Sequence, residues 1–174
     1  MSRQGSAAVG EIIEQLRRTY GEFPVVEERT TVPREALVEC MTSASKGRLG
    51  GTRTLLESDG RTLLVRYREN PDVWDLPGGS LDRHETHEQT AKRHVAEQLG
   101  LECALTGAFH ARRQTFSLVD GGDGASGLWI HFEGEPLDED PSLDPHAEIA
   151  ETRWFDTPPE AVAEPIRDRL AADD

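Results

Sequence analysis

Apolar positions along this chain recur with two different periods. Near the N-terminus Val9, Ile12, Ile13 and Leu16 share one face of a 3.6-residue repeat. That pattern predicts a helix over Ala8–Tyr20, with Gly21 as its stop. A second, short helix is expected from Pro33, a residue tolerated at a helix start, through Ala36, Leu37, Val38 and Met41. From Gly50 the repeat shortens to that of strands. Thr52–Glu57 and Thr62–Arg68 flank Ser58-Asp59-Gly60-Arg61, which reads as a hairpin with an Asp-Gly turn. Further strands are expected at Cys103–Ala111, Gln114–Val119, Leu128–Glu135 and Ile149–Phe155, with Gly121-Gly122-Asp123-Gly124 as a mobile loop. Pro159–Ala172 reads as a C-terminal helix bent at Pro165.

Between the two groups of strands lies the stretch Trp74–Leu101, WDLPGGSLDRHETHEQTAKRHVAEQLGL. It reads as a short apolar strand, a Pro-Gly-Gly turn, an acidic loop, and a helix over Thr86–Leu99 that stops at Gly100. Ala91, Val95 and Leu99 form a narrow apolar stripe. At about 100° per residue, His94, Glu97 and Gln98 gather on another face with Arg93 beside them. One side of the helix therefore suits a sheet, and the other offers polar groups to Gly78-Gly79. Paired glycines let backbone approach a ligand closely. A polar helix face beside such a turn suits a cation that holds phosphates.

These residues resemble the Nudix hydrolase signature, G-x5-E-x7-R-E-U-x-E-E-x-G-U, where U is a bulky aliphatic residue. Laid on Gly79, the signature finds Glu85, Arg93, Val95, Glu97, Gly100 and Leu101 in register. Trp74, Leu76, Pro77 and Gly78 also look like that family. Two positions depart from it: His94 and Gln98 stand where the family has carboxylates that bind metal.

The resemblance implies an α/β/α sandwich with a mixed β-sheet, covering roughly Gly50 to Ala172. That divides the chain into an N-terminal helical extension, residues 1–48, and a Nudix domain, residues 49–174. It also implies a divalent cation, Mg2+ or Mn2+, and cleavage of the pyrophosphate in a nucleoside diphosphate linked to another moiety. Carried over by position, Glu97 is the main metal ligand, with Glu85, His94 and Gln98 as further ligands. Glu148, in the segment before the last strand, matches the family's general base, with Glu151 second. Gly78, Gly79, Arg66, Arg68 and Arg112 are candidates to meet the substrate phosphates, and Trp74, Phe116 or Trp129 to stack on a base. The two departures from the signature also fit an alternative, a catalytically impaired domain that binds a nucleotide as sensor or scaffold. Each lost carboxylate removes about 4 kcal/mol of attraction at 4 Å and an effective dielectric of 20, before desolvation. Imidazole at His94 suits Mn2+ or Zn2+ better than Mg2+. The proline that follows the signature in members cleaving ADP-ribose is missing between Leu101 and Gly134.

Charge narrows the partners further. Net charge is −14, with 33 acidic against 19 basic residues, and only Lys46 and Lys92 among the latter are lysines. Phosphate backbones would be repelled, so no nucleic-acid polymer is expected. A small nucleotide derivative is the expected partner. The excess of acid over lysine looks like proteins of salt-in halophiles, whose self-repulsion is screened by salt. Cys40 and Cys103 form no CxxC pair and read as free thiols of a reducing compartment. No apolar run approaches a membrane span, and the N-terminus lacks a signal-peptide core, so a soluble cytoplasmic protein is expected. The first 48 residues are expected to pack on the domain, or on a partner subunit in a homodimer.

Overall fold

The computed structural model describes residues 2–46, 48–82, 85–138, 142–163 and 165–171. Eight strands form one mixed sheet. Its main path runs β1 (Val25–Thr31), β6 (Cys103–Leu118), β7 (Gly121–Pro136), β2 (Gly50–Ser58), β3 (Arg61–Tyr67) and β4 (Asn70–Asp75). Off this path, β5 (Gly78–Ser80) pairs with β2, and β8 (Ile149–Phe155) pairs with β3. The β1–β6 and β2–β7 pairs are parallel, and the other ladders are antiparallel. Of the helices, α1 (Ser2–Tyr20), α2 (Arg34–Ser45) and α3 (His87–Leu99) precede β6, and α4 (Ile166–Ala171) follows β8.

Strand alternation separates two cores. Leu56, Leu63 and Val65 pack with Val95 and Leu99 of α3. Leu55 and Leu64, one residue out of step, pack on the other face with Trp74, Val162, Ile166 and Leu170. Side chains at successive strand positions point to opposite faces, so both layers follow from one apolar run in β2 and one in β3. Val9, Ile13 and Leu16 of α1 extend the first face, packing on Ala108, Ala111, Leu128, Ile130 and Phe132.

The hairpin expected at Asp59-Gly60 forms. Both residues take left-handed φ angles, 52° and 77°, and Ser58 pairs with Arg61. Such paired left-handed residues match the twist of the flanking strands. The Gly121–Gly124 segment differs from expectation. It is the start of β7 rather than a mobile loop, because β6 and β7 pair along nearly their whole length, from Cys103 opposite Pro136 to Leu118 opposite Gly121. A Cβ on Gly124 would lie 2.3 Å from the Phe116 carbonyl oxygen, so the glycine permits the ladder there.

Three other elements depart from the sequence pattern. β1 was not anticipated, since Val25–Thr31 is an edge strand exposed over most of its length and shows little alternation. The second helix starts at Arg34, with Pro33 as its extended N-cap (ψ 157°). The C-terminal helix is shorter than Pro159–Ala172. Val162 instead bridges Trp74, and α4 begins after Pro165, whose carbonyl accepts from the Arg169 amide at 3.2 Å. Ala172 lies outside the described residues. Both cysteines are free thiols. Among the described residues no helix is long and apolar enough to cross a membrane.

Candidate functional site

The site is built on α3 and the glycine strand β5. Thr86 caps α3 reciprocally: its hydroxyl accepts from the Gln89 amide at 3.1 Å, and the Gln89 side chain accepts from the Thr86 amide at 2.9 Å. Gly100 ends the helix in a left-handed conformation, φ 70°. Ala91, Val95 and Leu99 are fully buried. With its apolar stripe on the sheet, α3 turns Gln98 and His94 toward β5 and leaves Glu97 exposed.

Gln98 is buried and clamps Gly78. Its Oε1 accepts from the Gly78 amide at 3.2 Å and from the Tyr67 hydroxyl at 2.8 Å, while its Nε2 donates to the Gly78 carbonyl at 2.8 Å. His94 lies against the next residue. A Cβ on Gly79 would be 2.7 Å from the His94 ring, and His94 Nε2 is 2.9 Å from the Ser80 carbonyl oxygen. A glycine is required at 79 for this close approach. The structure thus engages both departures from the signature in hydrogen bonds to the glycine strand.

Glu85 and Arg93 form a second unit. Arg93 Nε is 2.9 Å from both Glu85 carboxylate oxygens, its Nη1 is 3.2 Å from Glu97, and the Thr90 hydroxyl donates to Glu85 at 3.1 Å. The Arg93 hydrogen bond holds the Glu85 carboxyl below the usual carboxylate range.

Beside β5 opens a cleft of about 340 Å3 lined by Gly78, Gly79, His94, Glu97, Gln98 and Glu148. Arg53, Tyr67, Glu69, Ser80 and Trp129 complete its lining. Glu97 and Glu148, distant in sequence, therefore meet at one opening. Arg68 holds the backbone that carries Glu148: its Nε donates to Ala147 O at 2.6 Å, and its amide to Glu148 O at 2.9 Å. Arg66 instead pairs with Glu151 and lies over Trp74, 4.7 Å from the ring centroid, away from the cleft. Arg112 stands opposite Trp129 in the β6–β7 ladder. Of the three stacking candidates, Trp129 alone lines the cleft.

Arg53 and Glu69 were missed in the sequence. Arg53 Nη1 donates to Leu76 O at 3.0 Å and to the Tyr67 hydroxyl at 3.2 Å, and its guanidinium lies 6.0 Å from the Trp129 ring centroid. Its signal was a lone charge inside the run GGTRTLL. Glu69 gave none, being one acid among 33 acidic residues.

The donor types at the opening, carboxylates with one imidazole, suit a hard divalent cation such as Mg2+ or Mn2+. Among the described residues, however, no three His, Cys, Asp or Glu side chains converge closely enough to hold one. Glu69, Glu97 and Glu148 are the acidic donors at the cleft, and oxygens from a bound ligand would have to supplement them.

A mixed sheet between helices, with a glycine strand and a capped helix facing one carboxylate-edged cleft, defines a class of α/β proteins. The NUDIX domain profile matches residues 51–172, and the chain belongs to that family. Family members act on small nucleotide derivatives and generally use divalent cations. The chain is 32% identical over 56 residues to a Bacillus subtilis (strain 168) protein named for a proposed 8-oxo-dGTP diphosphatase activity. That match covers 32% of this chain and 38% of the relative, so the chain spans well under half of it. A NUDIX hydrolase from Nitrosomonas europaea superposes with a TM-score of 0.52 at 21% identity, covering 69% of this chain and 65% of that one. A NUDIX-family hydrolase from Clostridium perfringens gives 0.54 at 13% identity, covering 72% and 94%. At these identities the structural likenesses establish the fold alone.

Proposed function

We propose that this protein is a metal-dependent pyrophosphohydrolase that cleaves a nucleoside diphosphate linked to another moiety. The observation that carries this reading is the meeting of Glu97 and Glu148 at the cleft floored by Gly78 and Gly79. Glu97 would anchor the cation, and Glu85, His94 and Gln98 would support that position indirectly. Glu85 acts through Arg93, which ties it to Glu97. His94 and Gln98 act by holding β5 at its distance from the helix. The cation, when bound, neutralises the diphosphate and polarises it for attack. Glu148 accepts the proton of the attacking water, and the segment behind it is held by Arg68. Arg53 offers a fixed positive charge to the developing negative charge. Trp129 offers a ring face for the base.

A second reading has an observation of its own. His94 and Gln98 already hydrogen-bond to backbone, and no cluster of three metal-binding groups is formed among the described residues. Both facts favour a nucleotide-binding domain without turnover.

Glu97→Gln separates the two readings. Formation of phosphomonoester products from a nucleotide panel with Mg2+ or Mn2+, read as the phosphate that an added phosphatase frees from them, should fall by at least a hundredfold in the variant, while its melting temperature stays close to the parent's, because Glu97 is exposed. Unchanged turnover in Glu97→Gln would remove the site assignment. No turnover in the parent, together with ligand-induced rises in melting temperature, would establish the binding domain instead.

A further inference from the structure

Strand register assembles a group of basic side chains on the sheet face opposite α3. Arg53 of β2 stands opposite His131 of β7, which in turn stands opposite His110 of β6. The neighbouring row is Gly51, Trp129 and Arg112. Gly51 has no side chain, and a Cβ there would lie 2.7 Å from the Trp129 ring, so the indole lies over this glycine. Three cationic or imidazole groups thus stand in one row, with a fourth diagonal to them beside an aromatic ring. Arg53 and Trp129 also line the cleft, which makes the group continuous with it.

This group is short of acceptors. His131 is 7% exposed, and its Nδ1 has no hydrogen-bond partner among the described residues; the same is true of the buried His110 Nδ1 and Arg112 Nε. The His110 and His131 rings meet edge to face at 5.4 Å, a contact that satisfies neither nitrogen. Nearby acids are few or already engaged. Asp75 reaches Arg53 at 4.0 Å, Glu133 pairs with Arg169 at 3.1 Å, Glu28 reaches only 3.9 Å from Arg112, and Asp168 acts on His110 through its field. Three buried nitrogens without partners thus stand on one face of a chain whose net charge is −14. Each buried polar group left without a partner costs about 1–3 kcal/mol, which a ligand acceptor would recover.

We propose that His131, His110 and Arg112 form a phosphate subsite beside Trp129, distinct from the diphosphate position at Glu97, with Arg53 standing between the two. A guanidinium and two imidazoles supply more donors than a carboxylate can accept, whereas a phosphate has three terminal oxygens to receive them. Trp129, at the junction with the cleft, stacks on an unsaturated ring of the same ligand. The inference rests on the cleft holding the diphosphate of a nucleotide. It adds that the preferred ligand carries a further phosphate group outside that diphosphate.

NAD+ and NADP+ test this as a matched pair, because both contain a diphosphate and they differ by one phosphate. Calorimetric titration of the full chain without divalent cation reads binding independently of turnover. The parent should bind NADP+ at least tenfold more tightly than NAD+. His110→Gln and Arg112→Gln should each erase most of that difference while leaving NAD+ binding unchanged. Both side chains are partly exposed, so either variant is expected to fold, and circular dichroism checks that it does. Inorganic phosphate forms the second arm. If it binds the parent, is lost in both variants, and NADP+ gains nothing over NAD+, the subsite stands as one for the free ion. Equal binding of the two dinucleotides together with no phosphate binding that the variants weaken overturns the proposal. A parent that hydrolyses nothing yet separates the pair removes the hydrolase reading and keeps the subsite; hydrolysis with neither separation nor phosphate binding does the reverse.

Discussion

Gln98 carries both an acceptor and a donor, and the structure uses both on one peptide, taking the Gly78 amide on Oε1 and giving Nε2 to the Gly78 carbonyl. A carboxylate at this position would keep the first contact and set negative charge against the carbonyl in the second. Gln98→Glu is therefore expected to cost about 1–3 kcal/mol of stability without divalent cation. Denaturant unfolding at neutral pH, with and without Mg2+, measures this, and Mg2+ should recover part of the loss. His131 gives a pH dependence. Burial, with His110, Arg53 and Arg112 adding to it, pushes its pKa from 6.5 down to about 3. Between those values the unfolded chain binds a proton at this residue and the folded chain does not. Its contribution is complete above pH 6.5 and is lost progressively as pH falls toward 3. Buried His87 shifts in the same direction. The melting temperature should fall from pH 7 to pH 5, and His131→Phe should fall less steeply over that range. At this scale the identities of His94 and Gln98 were legible as departures from a known spacing. Their hydrogen bonds were not, because they depend on β5 lying beside the helix.

Among the elements, α3 was the most legible, since its apolar stripe, cap and glycine stop all agree. The Thr86 capping box satisfies amides that the first helical turn leaves free, so Thr86→Ala should lower stability by about 1 kcal/mol. A thermal or denaturant melt reads this directly, and no change would mean that the acidic loop, not the cap, sets the helix start. Strands β2 and β3 were legible because their apolar runs are long and their turn has Asp-Gly. β1 and the first residues of β7 were not. Polar residues and glycines become strand there only because β6 offers a hydrogen-bonding edge, and no local preference reports that edge. The C-terminal helix was overextended for a related reason, since residues near Val162 are drawn into a bridge with Trp74.

Charge acts on the whole molecule. A net charge of −14 opposes compaction, and several arginines answer it locally, as where Arg169 reaches both Glu133 and Glu57. Exposed pairs such as Arg61 with Asp156 are worth little each, so the remaining repulsion should depend on added salt. The melting temperature is expected to rise as NaCl or KCl increases from dilute buffer toward molar concentration, measured at fixed pH. A flat response would mark an ordinary acidic protein with no halophilic adaptation.

The sequence by itself determined the mixed α/β architecture, the α3 helix and its glycine turn, and the family to which they point. Those features arise from residues close together in the chain, where periodicity, capping and turn preferences act. Tertiary structure decided which of the many acids share a cleft. It brought Glu148 to Glu97, sent Glu151 to Arg66, and placed Arg53 beside Trp129. It also decided that His94 and Gln98 serve the backbone of β5. The reason is physical: strand register and helix docking fix distances between residues far apart in sequence, and a carboxylate's role depends on those distances as much as on its identity.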